Sequence, residues 1–192
     1  GLRYLDKRGL AFEPALVLAC FGHNDFELWG SQTDIQRAIE EAEQRKEAEQ
    51  KSLSDFFVLA RRALREAGRQ LEQATEEQKR PRLTPDELRA PLLQIKELCD
   101  AHDVPVVFVL WPFQWQIEEA RPEWVHYQPI IFDVCETTGA PLANLYDAMA
   151  AAEGELFVDP VHGSPEGCRV AAEAIAQVVA RTLEDTSRDA AS

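Results

Sequence analysis

The sequence predicts an α/β fold in three layers, with a buried parallel sheet between flanking helices. Three observations carry this. Two short runs are continuously apolar, Ala15–Phe21 (ALVLACF) and Val104–Leu110 (VPVVFVL), as strands buried on both faces are. Helical periodicities lie between and after these runs, so strand and helix alternate. Hydrophobic residues make up 45% and charged residues 28% of the 192, which is the composition of a globular chain. That excludes wholesale disorder, a collagen-like repeat and a small disulfide scaffold. The length fits one domain over residues 1–192, large enough to bury a sizeable core.

The elements follow in order. Leu2–Arg8 is a helix-like run at the very start, and Gly1 is not a methionine, so the sequence reads as a piece of a longer protein. The first strand ends at Gly22. From Asp34 to Lys79 the chain is dominated by Glu, Gln, Lys, Arg and Ala, interrupted by Leu53, Phe56, Phe57, Leu59 and Ala60. This predicts a charged helical insertion at about 34–80, docked through its Phe pair. Its heptads are too short and broken for a coiled coil. Thr84-Pro85-Asp86-Glu87 is a helix start, and Leu88, Leu92, Ile95, Leu98 and Cys99 continue its apolar stripe. The second strand is stopped by Trp111-Pro112. A helix is predicted over Trp124–Thr137, stopped by Gly139, then a third strand at Ala140–Asn144 and a short fourth segment at Phe157-Val158. Ser164-Pro165-Glu166 caps a last helix with the stripe Val170, Ala174, Ile175, Val178, Val179 and Leu183. The polar tail at about 185–192 is expected to fray.

Charge narrows the partners. The chain carries a net charge of −14, and residues 37–80 are charge-balanced, so the whole acidic excess lies elsewhere. Such a surface repels phosphate backbones and anionic headgroups, which argues against nucleic acid. No run approaches the ~20 apolar residues of a membrane span, and the start does not resemble a signal peptide. Cys20, Cys99, Cys135 and Cys168 are scattered without CxxC spacing, each inside an apolar pattern, and read as small buried hydrophobes. His23, His102, His126 and His162 show no HxxxH or HExxH spacing, so no metal is expected, and no GxGxxG or GKS loop suggests a phosphate cofactor.

Ligands of open parallel sheets bind beyond the carboxyl ends of the strands. Two loops at that end are chemically unusual. Phe21-Gly22-His23-Asn24-Asp25 follows the first strand directly. Gly22 permits a sharp exit, Asn24 can aim its amide N–H into the crevice, and Asp25 can hold the loop. The plainer reading of Asn24-Asp25 is a turn pair. Asp159-Pro160-Val161-His162-Gly163 precedes the last helix. A carboxylate three residues before a histidine can accept its Nδ1 proton and leave Nε2 as a general base. The plainer reading of His162 is a capping or surface residue.

Together the loops resemble the GxND and DxxH blocks of the SGNH (GDSL-like) hydrolase superfamily, and the strand before the first block and the long helix after the second agree with it. The resemblance implies a serine esterase or acylhydrolase on a flavodoxin-like fold, acting on a small-molecule, carbohydrate or lipid ester without a cofactor. In it Asn24 would donate to the oxyanion, His162 would be the base and Asp159 its orienter, with Gly22 and Asp25 as loop support. Trp111, Phe113 and Trp115, with Trp124 beyond them, could wall the acyl or sugar site, or simply pack under a loop.

The family's GDS nucleophile block, its second oxyanion glycine and two preceding strands have no counterpart here. Ser31, Ser52, Ser54, Ser164, Ser187 and Ser192 all lie outside such an elbow. The expectation is therefore the C-terminal portion of a hydrolase whose nucleophile lies in a preceding segment of the same protein, so that this chain alone is inactive. The alternatives are a non-catalytic module on the same fold and an O-acetyltransferase of the same superfamily.

Overall fold

The computed structural model describes residues 1–23, 28–30, 32–50, 80–125 and 127–189. The chain divides into two compact units, one of Gly1–His23 with Leu88–Ser192 and one of Asn24–Glu87. The second unit contains the whole of the predicted insertion at about 34–80.

The first unit is built on a parallel sheet of β1 (Val17–Ala19), β4 (Val106–Leu110) and β5 (Leu142–Asn144), in the order β1-β4-β5. Val17 pairs with Val106 and Ala19 with Phe108, while Phe108 also pairs with Leu142 and Leu110 with Asn144. All five residues of β4 are buried. This is what a continuous apolar run means physically: both faces of the strand are covered, so neither face can be polar. Val107 and Val109 enter a cluster with Ala143, Leu145, Met149, Leu156, Phe157, Val170 and Ala171. Val106, Phe108 and Leu110 alternate to the opposite face and are equally covered.

The flanking helices come from the predicted stripes. Helix α3 (Pro85–Asp100) buries Leu88, Leu92, Ile95 and Cys99, and α5 (Gln128–Thr138) buries Ile131, Val134 and Cys135. Helix α5 starts four residues later than the apolar spacing suggested, because Pro129 suits only its first turn. Short helices α4 (Gln114–Glu118) and α6 (Tyr146–Ala150) follow β4 and β5, and α7 (Pro165–Asp189) closes the unit. Before β1 the chain makes an α-helical turn α1 (Leu2–Tyr4), a π-helical turn and a 3₁₀ turn.

Three expectations change. The strands are shorter than the apolar runs: β1 keeps three residues of Ala15–Phe21, and β4 continues two residues past the last β1 pair. The fourth segment is a single antiparallel bridge, Phe157 to Gly163. Helix α7 runs past the expected boundary at 185 and continues to Asp189, with Thr186 and Ser187 hydroxyls bonding back to the carbonyls of Thr182 and Leu183. Of the cysteines, Cys99 and Cys135 are buried as read, but Cys20 and Cys168 are exposed, the first just past the end of β1 and the second on the outer side of α7. All four are free thiols.

In the second unit, β2 (Leu28–Gly30) pairs antiparallel with β3 (Arg80–Pro81), and α2 (Asp34–Gln50) opens the insertion. A reciprocal cap starts α2: Gln36 N–H donates to Thr33 Oγ1 and Thr33 N–H to Gln36 Oε1. Arg82 pairs with Asp34 at 2.8 Å. The Leu53–Ala60 cluster lies outside the described residues.

The last helix meets the core at one very close contact. Gly167 sits against the Leu156 backbone so tightly that a Cβ would overlap the Leu156 carbonyl. Helix propensity alone makes Gly→Ala stabilising by about 1 kcal/mol. We expect the reverse for Gly167→Ala, a loss of about 1–3 kcal/mol from overpacking, read as a lower urea midpoint at unchanged slope. Equal or higher stability would refute this close packing.

Candidate active site

The Asp159–His162 loop is a small hairpin closed on itself. Val158 N–H donates to His162 O at 2.9 Å and Ser164 N–H to Leu156 O at 2.9 Å. Inside it the Asp159 carboxylate accepts three bonds, from Val161 N–H at 2.9 Å and His162 N–H at 2.8 Å on Oδ1, and from His162 Nδ1 at 2.7 Å on Oδ2. The two backbone donors, then the imidazole, hold its carboxyl at about 2, well below the ordinary 3.8. A charged carboxylate only accepts, so the imidazole proton facing it sits on Nδ1 and Nε2 keeps its lone pair. The His162 side chain is 74% exposed, so that lone pair is open to an incoming group.

Neighbouring loops at the carboxyl edge converge on this hairpin. Gln114 N–H, at the start of α4, donates to Pro160 O at 2.9 Å. Gly163 lies against the Trp111 indole, where a Cβ would come within 2.9 Å of Cζ2. His23, two residues into the loop after Phe21, meets the Phe113 ring edge-on at 5.4 Å. Gly22 has a φ of +124° and is covered by the Tyr127 ring, so its lack of a side chain serves both the turn and the packing. The structure thus gathers Gly22, Trp111, Phe113, Asp159 and His162 within one unit. Asn24 and Asp25 lie outside the described residues.

The aromatic candidates separate. Trp111 is half-buried, and its Nε1 is the buried side-chain polar atom that lacks a partner among the described residues. Phe113 is buried between His23, Trp115 and Tyr127, and so supports the loop from beneath. Trp115 stacks on Phe113 at 6.2 Å and is half-buried. Trp124 packs instead on Phe132 and Tyr146, the packing role weighed for it above.

Ser164 does not complete a catalytic triad. Its hydroxyl donates to Glu155 O at 2.6 Å and accepts Gly167 N–H at 3.1 Å, which is a helix cap. Ser187 bonds back along its own helix. Ser31, Ser52, Ser54 and Ser192 lie outside the described residues. No group of three or more potential metal ligands occurs among the described residues, and no described helix is long and apolar enough to cross a membrane.

The sequence reading missed Tyr127, Gln116 and Gln128. Tyr127 OH donates to Trp111 O at 2.9 Å, and burial pushes its phenol far up, which keeps it a neutral donor. Gln116 caps the α4 start by accepting Phe113 N–H at 2.8 Å. A glutamine three residues after a helix start is a recognisable capping signal that could have found it.

The first unit is thus a parallel α/β sheet with a histidine–carboxylate pair on the loop before its last helix. No protein-family model matches the chain, and no curated protein matches its sequence. Among solved structures, the fold is similar to that of LAE5, an alpha/beta hydrolase enzyme from the metagenome of Lake Arreo, Spain. The TM-score is 0.50 and the identity 16%, over 92% of this chain. The chain spans 65% of LAE5's length. The likeness is one of fold, and this sequence contains no Gly-x-Ser-x-Gly elbow.

The Asp159 geometry has a measurable consequence. Because its folded value lies below the ordinary one, the stability it contributes is complete above about 3.8 and is lost as pH falls through about 2. Carboxyl ¹³C NMR of Asp159 should show a midpoint near 2. His162→Ala should move it only part of the way back, since the Val161 and His162 backbone donors remain. A midpoint at the ordinary value in the parent protein would contradict the geometry.

Proposed function

We propose that this chain carries the proton-transfer half of a serine ester hydrolase of the SGNH kind, with the nucleophilic serine lying in a preceding segment of the same protein. The observation that supports this best is the Asp159–His162 pair, with a fixed tautomer and an open Nε2. In this reading Nε2 takes the serine proton as the oxygen attacks the ester carbonyl. Asn24 would serve as a donor to the tetrahedral oxyanion, as the resemblance implies, and His162 returns the proton to the departing alcohol. Water then repeats the sequence on the acyl-enzyme and frees the acid. The acyl or sugar part lies against Trp111 and Trp115. The same residues would serve an O-acetyltransferase if a sugar hydroxyl replaced water. A second reading, a non-catalytic module, is favoured by one observation: the serine nearest to His162 in sequence, Ser164, is committed to its cap.

The test uses the protein together with the segment bearing its nucleophile, with p-nitrophenyl acetate as substrate. Asn24→Ala should lower kcat about 10²–10³-fold with little change in KM, as for one lost oxyanion donor. His162→Ala should cost more. Asp159→Asn should lower kcat about 10⁴-fold by releasing the tautomer while the fold persists. This chain alone should show no turnover. Rates within threefold of the parent for both Asn24→Ala and His162→Ala would overturn the hydrolase reading and leave the module.

A further inference from the structure

Behind the crevice lies a fully buried pair of glutamines. Gln116 and Gln128 are each 0% exposed. Their amides face each other reciprocally: Gln116 Nε2 donates to Gln128 Oε1 at 3.1 Å, and Gln128 Nε2 donates to Gln116 Oε1 at 2.9 Å. The remaining positions reach four points of the backbone. Gln116 accepts Phe113 N–H at 2.8 Å and donates to Glu123 O at 2.8 Å. Gln128 accepts Val125 N–H at 3.0 Å and donates to Trp111 O at 3.3 Å. A primary amide offers two donors and two acceptor sites, so both side chains are saturated.

The bonds between the two amides add little net stability over an apolar pair of the same shape. Their bonds to Phe113 N–H, Val125 N–H, Glu123 O and Trp111 O, by contrast, satisfy backbone groups that such a pair would leave without these partners. What the amides add is direction. They tie the start and end of the 111–125 segment to one another at four atoms, and that segment touches the histidine hairpin, through Gln114 N–H on Pro160 O and Trp111 against Gly163. Saturated polar networks of this kind set one conformation where apolar packing tolerates several.

We propose that Gln116 and Gln128 are positioning residues, which set the place of the His162 hairpin relative to the Trp111 wall. The functional meaning rests on the reading of His162 as a base. The geometric claim stands apart from it, and the test below uses no substrate, so either can fail alone.

The experiment compares the parent chain with Gln116→Met/Gln128→Met, which keeps the volume and removes both amides together, leaving neither half-satisfied. Cooperative melting establishes folding. Amide exchange of Gln114 reads its bond to Pro160, NOEs from the Trp111 ring to the Gly163 α-protons read the wall contact, and exchange of the Phe108 amide, bonded to Pro141 O in the sheet, serves as reference. The expected result is a Gln114 protection factor at least tenfold lower and loss of the Trp111–Gly163 NOEs, with Phe108 protection within threefold of the parent. Unchanged Gln114 protection and NOEs in the folded variant would overturn the proposal. So would a parallel fall at Gln114 and Phe108, which marks a purely structural role.

If the double variant does not fold, Gln116→Glu replaces it. Its neutral acid keeps most of the bonds and its ionised form loses both donors. The Gln114 protection factor should then drop tenfold or more across the ionisation of Glu at position 116 while Phe108 holds. Constancy of the Gln114 factor across that ionisation would overturn the proposal.

Discussion

Everything in the first unit is arranged around the backbone pairing of β4. It is the strand with a parallel neighbour on each side, and all five of its residues are buried, so no water reaches its amides. Each N–H and C=O must therefore find a strand, and parallel strands on both sides oblige all three chains to run the same way. That one requirement sends the residues after β1, β4 and β5 out of the same edge. Gly22, Trp111 and Leu145 are neighbours in space because Val17–Ala19 and Leu142–Asn144 have to satisfy Val106–Leu110. The shared exit of these loops is a by-product of hydrogen-bond completeness in the sheet.

The histidine hairpin works on a different scale. Its order is local: a carboxylate two and three residues before its donors forms a closed ring of bonds that hardly depends on the sheet. Local order explains why this part of the site was legible in the sequence. Asp159 and His162 are three positions apart, Pro160 limits the path between them, and Ser164 with Pro165 announces the helix that follows. Continuous apolar runs made the buried strands legible for a similar reason, since burial on both faces leaves a direct mark on residue type.

What escaped the reading is what depends on distant partners. Strand ends are decided by which residues pair across the sheet, and β1 holds three residues of a seven-residue run. The late start of α5 depends on which residues Pro129 permits in a first turn. Cys20 and Cys168 sit in apolar patterns yet face outward, because a strand end and the outer side of a helix are exposed whatever their neighbours in sequence. Gln116 and Gln128 are twelve positions apart, and neither carries a sign of the other. Their pairing exists only after the 111–125 segment has folded back on itself. The indole nitrogen of Trp111 is equally a product of assembly: the Trp111 carbonyl accepts from two donors while the indole N–H finds no acceptor among the described residues.

The contact between Gly167 and Leu156 also has a mechanical side. Helix α7 is 25 residues long, about 37 Å of stiff rod at 1.5 Å per residue, and it is joined to the hairpin by a contact with no room for slack. That contact is the pivot through which any tilt of the rod reaches the hairpin. His162 lies on the short arm and Asp189 at the far end of the long one. A tilt that carries the distal end by several ångströms therefore carries a group beside the pivot by only a small fraction of that distance.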